Sequence, residues 1–255
     1  MLLVIDIGNT NIVLGLYNKE DLVFNGRIYT NHKKTVDELS VAVNSVLSIN
    51  GYRASNIKGC IVSSVVPKLT GTMCNAIKLL CNISPLVVSP GIKTGLDIKI
   101  DNPSQLGSDM VCSSVCALKK YPLPCVVIDL GTATKFSTLD KNGHMIGGSI
   151  MSGVMISLEA LSLNAALLQQ INLDSPVTLI GTNTIDSMKS GAVLGCASMI
   201  DGMIKRHRQV LGENLTVVAT GGLCSDIIPH CNENIIIDNN LILEGLRLIY
   251  EKNMN

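Results

Sequence analysis

The chain has 255 residues, 47% hydrophobic and only 3% aromatic, with 20 basic and 20 acidic side chains and a formal charge of zero. That balance excludes a sequence-independent electrostatic grip on nucleic acid or anionic lipid, which needs a basic excess or stripe. The length suffices to bury a substantial core, in one large domain or two small ones.

Residues 2–7 (LLVIDI) predict a buried strand, Gly8 to Asn11 a tight turn, and 12–17 a strand returning beside the first. After the polar break at 18–21, LVFNGRIY predicts a third strand. Thr35 and Glu38 form a capping box that opens a helix, with Leu39, Val43, Val46 and Leu47 at helical spacing. A strand at 59–65, a helix at 68–81 and a short strand at 85–88 complete a β-β-β-α-β-α-β series. The stretch GSDMVCSSVCALKK, from Gly107, then opens another helix.

The second half restarts the same way. CVVIDL (125–130) predicts a strand, Gly131–Ala133 a turn, 135–139 a returning strand, Lys141–Gly143 a turn and MIGGSI the third strand. Helices at about 153–169 and 182–209 follow, then a strand at 215–220, a Gly-Gly break, a short helix, a strand at 234–238 and a final helix from 240. VIDIGNTN near the start and VIDLGTAT at 127–134 are nearly the same phrase, and Asp6 and Asp129 stand 123 residues apart. The matching turn spacing points to an internal duplication. Two such series imply two α/β lobes, 1–116 and 117–255, facing each other across a cleft where small molecules bind.

The nine cysteines show no CxxC, and none stands at zinc-ligand spacing from the four histidines. They read as small buried hydrophobes of a reduced cytoplasm. No secretory signal or membrane-length apolar run appears. Lys205-Arg206-His207-Arg208 reads as the solvated end of a helix. Gly191, Gly195, Ala197 and Gly202 repeat along one long helix and allow close packing, within the chain or across a dimer. The ten methionines suit an aliphatic, adaptable core.

An Asp and a Gly at a strand-to-strand turn carry a recognisable chemistry. Gly8 and Gly131 let backbone approach a ligand and take conformations closed to other residues. Turn N–H groups, with the Thr10 and Thr132 hydroxyls, can donate to phosphate oxygens. Asp6 and Asp129 can hold a cation that screens those phosphates. No GxxxxGK[ST] loop and no GxGxxG opening a helix competes with this reading. ATGG (219–222) adds a Gly-rich break that can pass an adenosine.

DIGNT, DLGTAT and ATGG, in that order, resemble the phosphate-1, phosphate-2 and adenosine motifs of the actin, sugar kinase and heat-shock ATPase superfamily. Along nearly its whole length the chain resembles the type III pantothenate kinases. The supporting strings include DIGNTNIVLG, TVDEL (35–39), SSVVP (63–67), DNPSQLGSD (101–109), DLGTAT (129–134), GTNT (181–184), ATGGL (219–223) and LEGLRLIYEKN (243–253). The resemblance implies two duplicated ribonuclease H-like lobes and transfer of the ATP γ-phosphoryl group to pantothenate. It implies ATP contacts from Asp6, Ile7, Gly8, Asn9, Thr10, Asn11, Ile12 and Val13 and from Thr132. Asp109 would be the proton acceptor, Gly107, Ser108, Asp109 and Met110 would line the pantothenate site, and Thr184 would touch the same substrate. Asp129 would bind a monovalent cation, potassium or ammonium, with Mg²⁺ accompanying ATP, in a cytoplasmic homodimer.

The chain departs from the family pattern at several places. Met110 replaces an Arg, Ile100 a Tyr, Lys135 and Ser137 a Thr and an Asp, and Ser152 a Pro. An apolar Met keeps a pocket wall but binds no anion. The phosphate machinery is therefore nearer the pattern than the acceptor machinery. Two rivals follow: a kinase of the same fold acting on another small alcohol, and a non-catalytic nucleotide-binding regulator.

Overall fold

The computed structural model describes residues 1–173 and 177–254. The chain divides into two compact units. One comprises Met1–Leu96, Asp101–Lys119 and Asn240–Asn255, and the other Asp97–Ile100 and Lys120–Asn239. Each half of the chain therefore lends a segment to the other unit, and the last helix belongs with the first strands.

In the first unit, β1 (Leu2–Ile7), β2 (Asn11–Asn18) and β3 (Asp21–Tyr29) form an antiparallel meander. Next come α1 (Val36–Ile49), β4 (Gly59–Ser64), α2 (Pro67–Cys81) and β5 (Leu86–Val87). The sheet order is β3-β2-β1-β4-β5, with β4 parallel to β1 and β5 parallel to β4. Strand alternation explains the two faces. Leu3, Ile5 and Ile7 point into a core with Leu39, Val43 and Leu47 of α1 and Leu69, Met73 and Ile77 of α2. The helix α7 (Leu241–Met254) packs on β1, β2 and β4. Leu243 reaches toward Gly15, and the backbone of Gly245 meets the Cys112 carbonyl of α3 (Ser108–Lys120) so closely that a β-carbon has no room there.

The second unit repeats the plan. The edge strand β6 (Asp97–Ile98) is followed, after α3, by the meander β7 (Cys125–Leu130), β8 (Ala133–Leu139) and β9 (His144–Ser152). Then come α4 (Val154–Asn164), α5 (Thr184–Leu211), β10 (Thr216–Thr220), α6 (Cys224–Ile227) and β11 (Ile236–Ile237). The order β11-β10-β7-β8-β9-β6 reproduces the first sheet, with β10 and β11 parallel to β7 and one added strand at the edge. The same strand order twice is what an internal duplication requires. Both sheets lie within a mixed α/β fold.

Most expected elements are present, with four differences. The helix expected to 169 stops at Asn164, whose side chain bonds back to the Ala160 carbonyl at 2.8 Å and competes with the next turn. β11 is only two residues, held by an edge pairing to β10. β6 is held by Lys99 N–H bonding to the Met145 carbonyl at 2.8 Å and by parallel pairing with β9. The basic cluster at the end of α5 is only partly solvated: Arg208 pairs with Glu233, and His207 stacks on Phe136 with centroids 5.8 Å apart. None of the nine cysteines forms a disulfide; burial raises the thiols of Cys60 and Cys112 well above the ordinary range.

Candidate active site

The first Asp-Gly turn runs through the four residues Gly8 to Asn11 between the last paired positions of β1 and β2. Ile7 and Ile12 pair across the strands and are fully buried, and Gly8 N–H closes the turn on the Asn11 carbonyl at 3.0 Å. Thr30, itself buried, ties the turn down from the end of β3. Its hydroxyl donates to the Gly8 carbonyl at 2.8 Å and its N–H to the Thr10 carbonyl at 3.0 Å. Asn9, Thr10 and Asn11 are exposed. The side chains of Ile7 and Ile12 belong to the core, so only their backbone can meet a phosphate.

Asp6 stands at the end of β1 and is buried. Its neighbour across the parallel pairing is Ser63 on β4, whose hydroxyl donates to Asp6 Oδ1 at 2.8 Å. Ser63 Oγ also lies 2.9 Å from Ser108 Oγ, and the one Ser108 hydroxyl proton is shared between that contact and the Ser64 carbonyl at 3.1 Å. The Ser64 N–H in turn donates to Ser108 Oγ at 3.0 Å. This chain of bonds pins the first residue of α3 to the tip of β4. Asp109, next along, is buried, and its Oδ1 accepts the Met110 N–H at 2.8 Å. A β-carbon at Gly107 would lie 2.5 Å from that same oxygen, so glycine there clears the carboxylate. Met110 is buried. In the first unit, Asp6 and Ser108 are thus linked through Ser63, a residue that sequence reasoning quoted only within SSVVP, and Asp109 follows Ser108 directly in α3.

The second Asp-Gly turn, in the other unit, is one residue shorter. Leu130 pairs with Thr134, and Gly131, Thr132 and Ala133 make the loop. Two segments wall it in. Gly153, before α4, donates its N–H to the Thr132 carbonyl at 3.1 Å, and a β-carbon there would collide with the Gly131 and Thr132 carbonyls. Gly221 of the ATGG segment has φ of +106°, and its β-carbon would fall 2.6 Å from the Leu130 carbonyl. Glycine is obligatory at 221 on both counts. The expectation that Gly8 and Gly131 take conformations closed to other residues is corrected: neither has positive φ. Space is merely tight there, with the Asn11 carbonyl at 3.0 Å from a β-carbon at position 8 and Asp129 Oδ1 at 3.3 Å from one at 131.

Asp129 lies opposite Thr220 on one side and Lys135 on the other. Lys135 Nζ is 2.7 Å from Asp129 Oδ2, and both side chains are only 15% exposed. Burial, with Asp129 beside it, pushes the Cys224 thiol up to about 12. Thr132 is half-buried at the loop, and Thr184 is the exposed first residue of α5. Thr184 lines a cavity of about 810 Å³, with Ser152 and Thr182 near it and Leu158, Leu161 and Met188 as apolar wall. Ile100, half-buried, belongs to the second unit.

The backbone plan is shared with solved kinases and other proteins. A Campylobacter jejuni protein named for the Baf family of transcriptional activators superposes with a TM-score of 0.60 at 19% identity, covering 99% of each chain. The ROK hexokinase from Thermus thermophilus superposes with a TM-score of 0.54 at 12% identity, again covering 99% of each. At those identities the likeness speaks for fold alone. Sequence similarity says more. The family model for type III pantothenate kinase matches residues 2–206, which span both Asp-Gly turns, Asp109 and Thr184. A type III pantothenate kinase from an Exiguobacterium strain is 44% identical over 253 residues, 99% of each chain. With its duplicated lobes, its paired Asp-Gly turns and a relative that close over its full length, the chain belongs to the type III pantothenate kinase family.

Proposed function

We propose that this protein transfers the γ-phosphoryl group of ATP to the terminal hydroxyl of pantothenate, giving 4′-phosphopantothenate and ADP, the first step of coenzyme A synthesis. The observation that carries this reading is the family match, which spans every residue assigned a role below. A primary alcohol is a poor nucleophile, so its proton must leave as the new O–P bond forms and the bond to the β-phosphate oxygen breaks. Asp109 takes that proton, with its carboxylate plane set by the Met110 N–H. Such a base contributes roughly 10²–10⁴-fold. Gly107, Ser108 and Met110 line the acceptor pocket beside it, and Thr184 contacts the same substrate.

The Asp6–Val13 turn acts as one phosphate loop and Thr132 belongs to the other. Their N–H and hydroxyl groups neutralise phosphate charge, from which most phosphoryl-transfer acceleration comes. Asp6, oriented by Ser63, would hold the Mg²⁺ that travels with ATP and draws charge off its phosphates. Asp129 holds a single positive charge beside the second loop. The same reading makes the protein a cytoplasmic homodimer, for which exposed Leu161, Leu163, Leu167 and Leu179 supply apolar surface. Among the described residues no helix is long and apolar enough to cross a membrane.

A second reading, a kinase of the same fold for another small alcohol, draws on Met110 and Ile100, which give the pocket neither a cation nor an aromatic ring. One experiment separates the two: ADP release from ATP and Mg²⁺ with and without pantothenate. Turnover that requires pantothenate supports the first reading. ATP binding with no pantothenate response rejects it in favour of the second.

A further inference from the structure

The two Asp-Gly turns differ at one register position. In the first, the residue paired across from the aspartate is Val13, and in the second it is Lys135. The Lys135 ammonium sits 2.7 Å from Asp129 Oδ2, with both side chains largely withdrawn from water. An ion pair shielded in this way is screened far less than one at the surface. The surroundings are demanding for a charge: Thr220 and Cys224 flank Asp129, each at most 2% exposed.

The donor set does not suit a free monovalent cation. A carboxylate is an attractive ligand for potassium because it supplies negative charge, and here that charge already faces an ammonium at contact distance. A second monovalent cation on the same carboxylate would lie beside Lys135 Nζ, where like charges repel. An alkylammonium carries the same unit charge as the potassium or ammonium ion that the family resemblance implies for Asp129.

We propose that Lys135 is a built-in monovalent cation: its side-chain ammonium supplies the positive charge at Asp129, so phosphoryl transfer by this protein needs neither potassium nor ammonium from solution. Lys135 is on this account a positioning residue, acting through Asp129 and the loop of Gly131 and Thr132. The inference rests on the kinase reading for its functional consequence. Its binding consequence, that nucleotide affinity is indifferent to potassium, is independent of the acceptor.

The test uses the full-length protein in potassium, ammonium, sodium and tetramethylammonium chloride at equal ionic strength. Two quantities are measured in each salt: affinity for a non-hydrolysable ATP analogue with Mg²⁺ by calorimetry, and pantothenate-dependent ADP release. For the unaltered protein both should agree within about twofold across the four salts. In Lys135→Thr both should fall about tenfold or more in tetramethylammonium and recover in potassium, the loss being that of one preorganised charge. Lys135→Gln, of nearly the same length, repeats the measurement if the threonine variant fails to fold. Strong potassium stimulation of the unaltered protein would overturn the proposal. So would a loss in the variants that no cation restores, which would make Lys135 a direct phosphate ligand. Salt-independent nucleotide binding without pantothenate turnover would leave the built-in cation standing and reject pantothenate as the acceptor instead.

Discussion

Ser63 donates its hydroxyl proton to Asp6 from the neighbouring parallel strand, Oγ to Oδ1 at 2.8 Å, and is itself fully buried. Hydrogen bonds to charged groups contribute about 1.5–3 kcal/mol each. Ser63→Ala should therefore lower kcat by about tenfold and reduce stability by about 2 kcal/mol, since Asp6 and Ser108 both lose a partner. Steady-state kinetics and urea melts check the two effects separately. Unchanged kcat alongside reduced stability would confine Ser63 to a structural role.

Asp109→Asn keeps the side chain's size and its acceptor for the Met110 N–H but cannot take the substrate proton. Affinity for the ATP analogue should change little, while kcat falls by roughly 10²–10⁴-fold. Turnover at the level of the unaltered protein would remove Asp109 from the proton-accepting role.

Gly221→Ala places a methyl group against the Leu130 backbone at a φ of +106°. The strained backbone alone costs about 1–3 kcal/mol, and the collision adds to it. The variant should lose both stability and nucleotide affinity, because the displaced residue leads directly into Gly131 and Thr132. Gly71, on the exposed side of α2 with open space around it, is the control. Gly71→Ala should stabilise by about 0.5–1 kcal/mol in chemical denaturation.

The capping box at α1 makes stability depend on acid pH. The Thr35 N–H donates to Glu38 Oε2 at 2.7 Å, which, with the Thr35 hydroxyl, holds the Glu38 carboxyl below its ordinary 4.5. A depressed folded-state value means that the contribution is complete above 4.5 and is lost as pH falls through the lower folded value. Glu38→Gln should melt below the unaltered protein at pH 7, and the gap should narrow as pH falls below 4.5. A gap that does not narrow in acid would refute the linkage.

Asp201, on α5 and only 6% exposed, accepts the backbone N–H groups of Asn232 and Glu233 and the Asn232 side-chain amide at 2.8–3.2 Å. Asp201→Ala orphans two backbone donors and should cost about 3 kcal/mol, with an unchanged urea m-value. Asp201→Asn, which keeps an acceptor, should recover part of the loss.

The fold was largely legible because its signals are local. Short continuous apolar runs ending in Asp marked the strands around Asp6 and Asp129, and Thr35 with Glu38 marked the start of α1. Elements held by distant partners were less visible: nothing within Asp97–Ile98 announces its pairing with His144 and Met145. The candidate site was legible in part. Its carboxylates stood out in their motifs, whereas the bond from Ser63 to Asp6 depends on strand register. Lys135 drew notice only as a departure from the family pattern. Its partner became apparent once β7 and β8 were paired, since an antiparallel hairpin one residue shorter than its twin sets Lys135 directly opposite Asp129.

The placement of α7 bears on how the polypeptide is made. β1 leaves the ribosome long before α7 (Leu241–Met254), the helix that covers it. Synthesis at about 5–20 residues per second leaves Val4 and Ile61 waiting on the order of ten seconds or more for that cover. During translation the nascent sheet has α1 and α2 on one side only, and its other side is the surface a chaperone or a neighbouring nascent chain would meet. Loss of even the last turns of α7 would consequently be felt in β1 and β4.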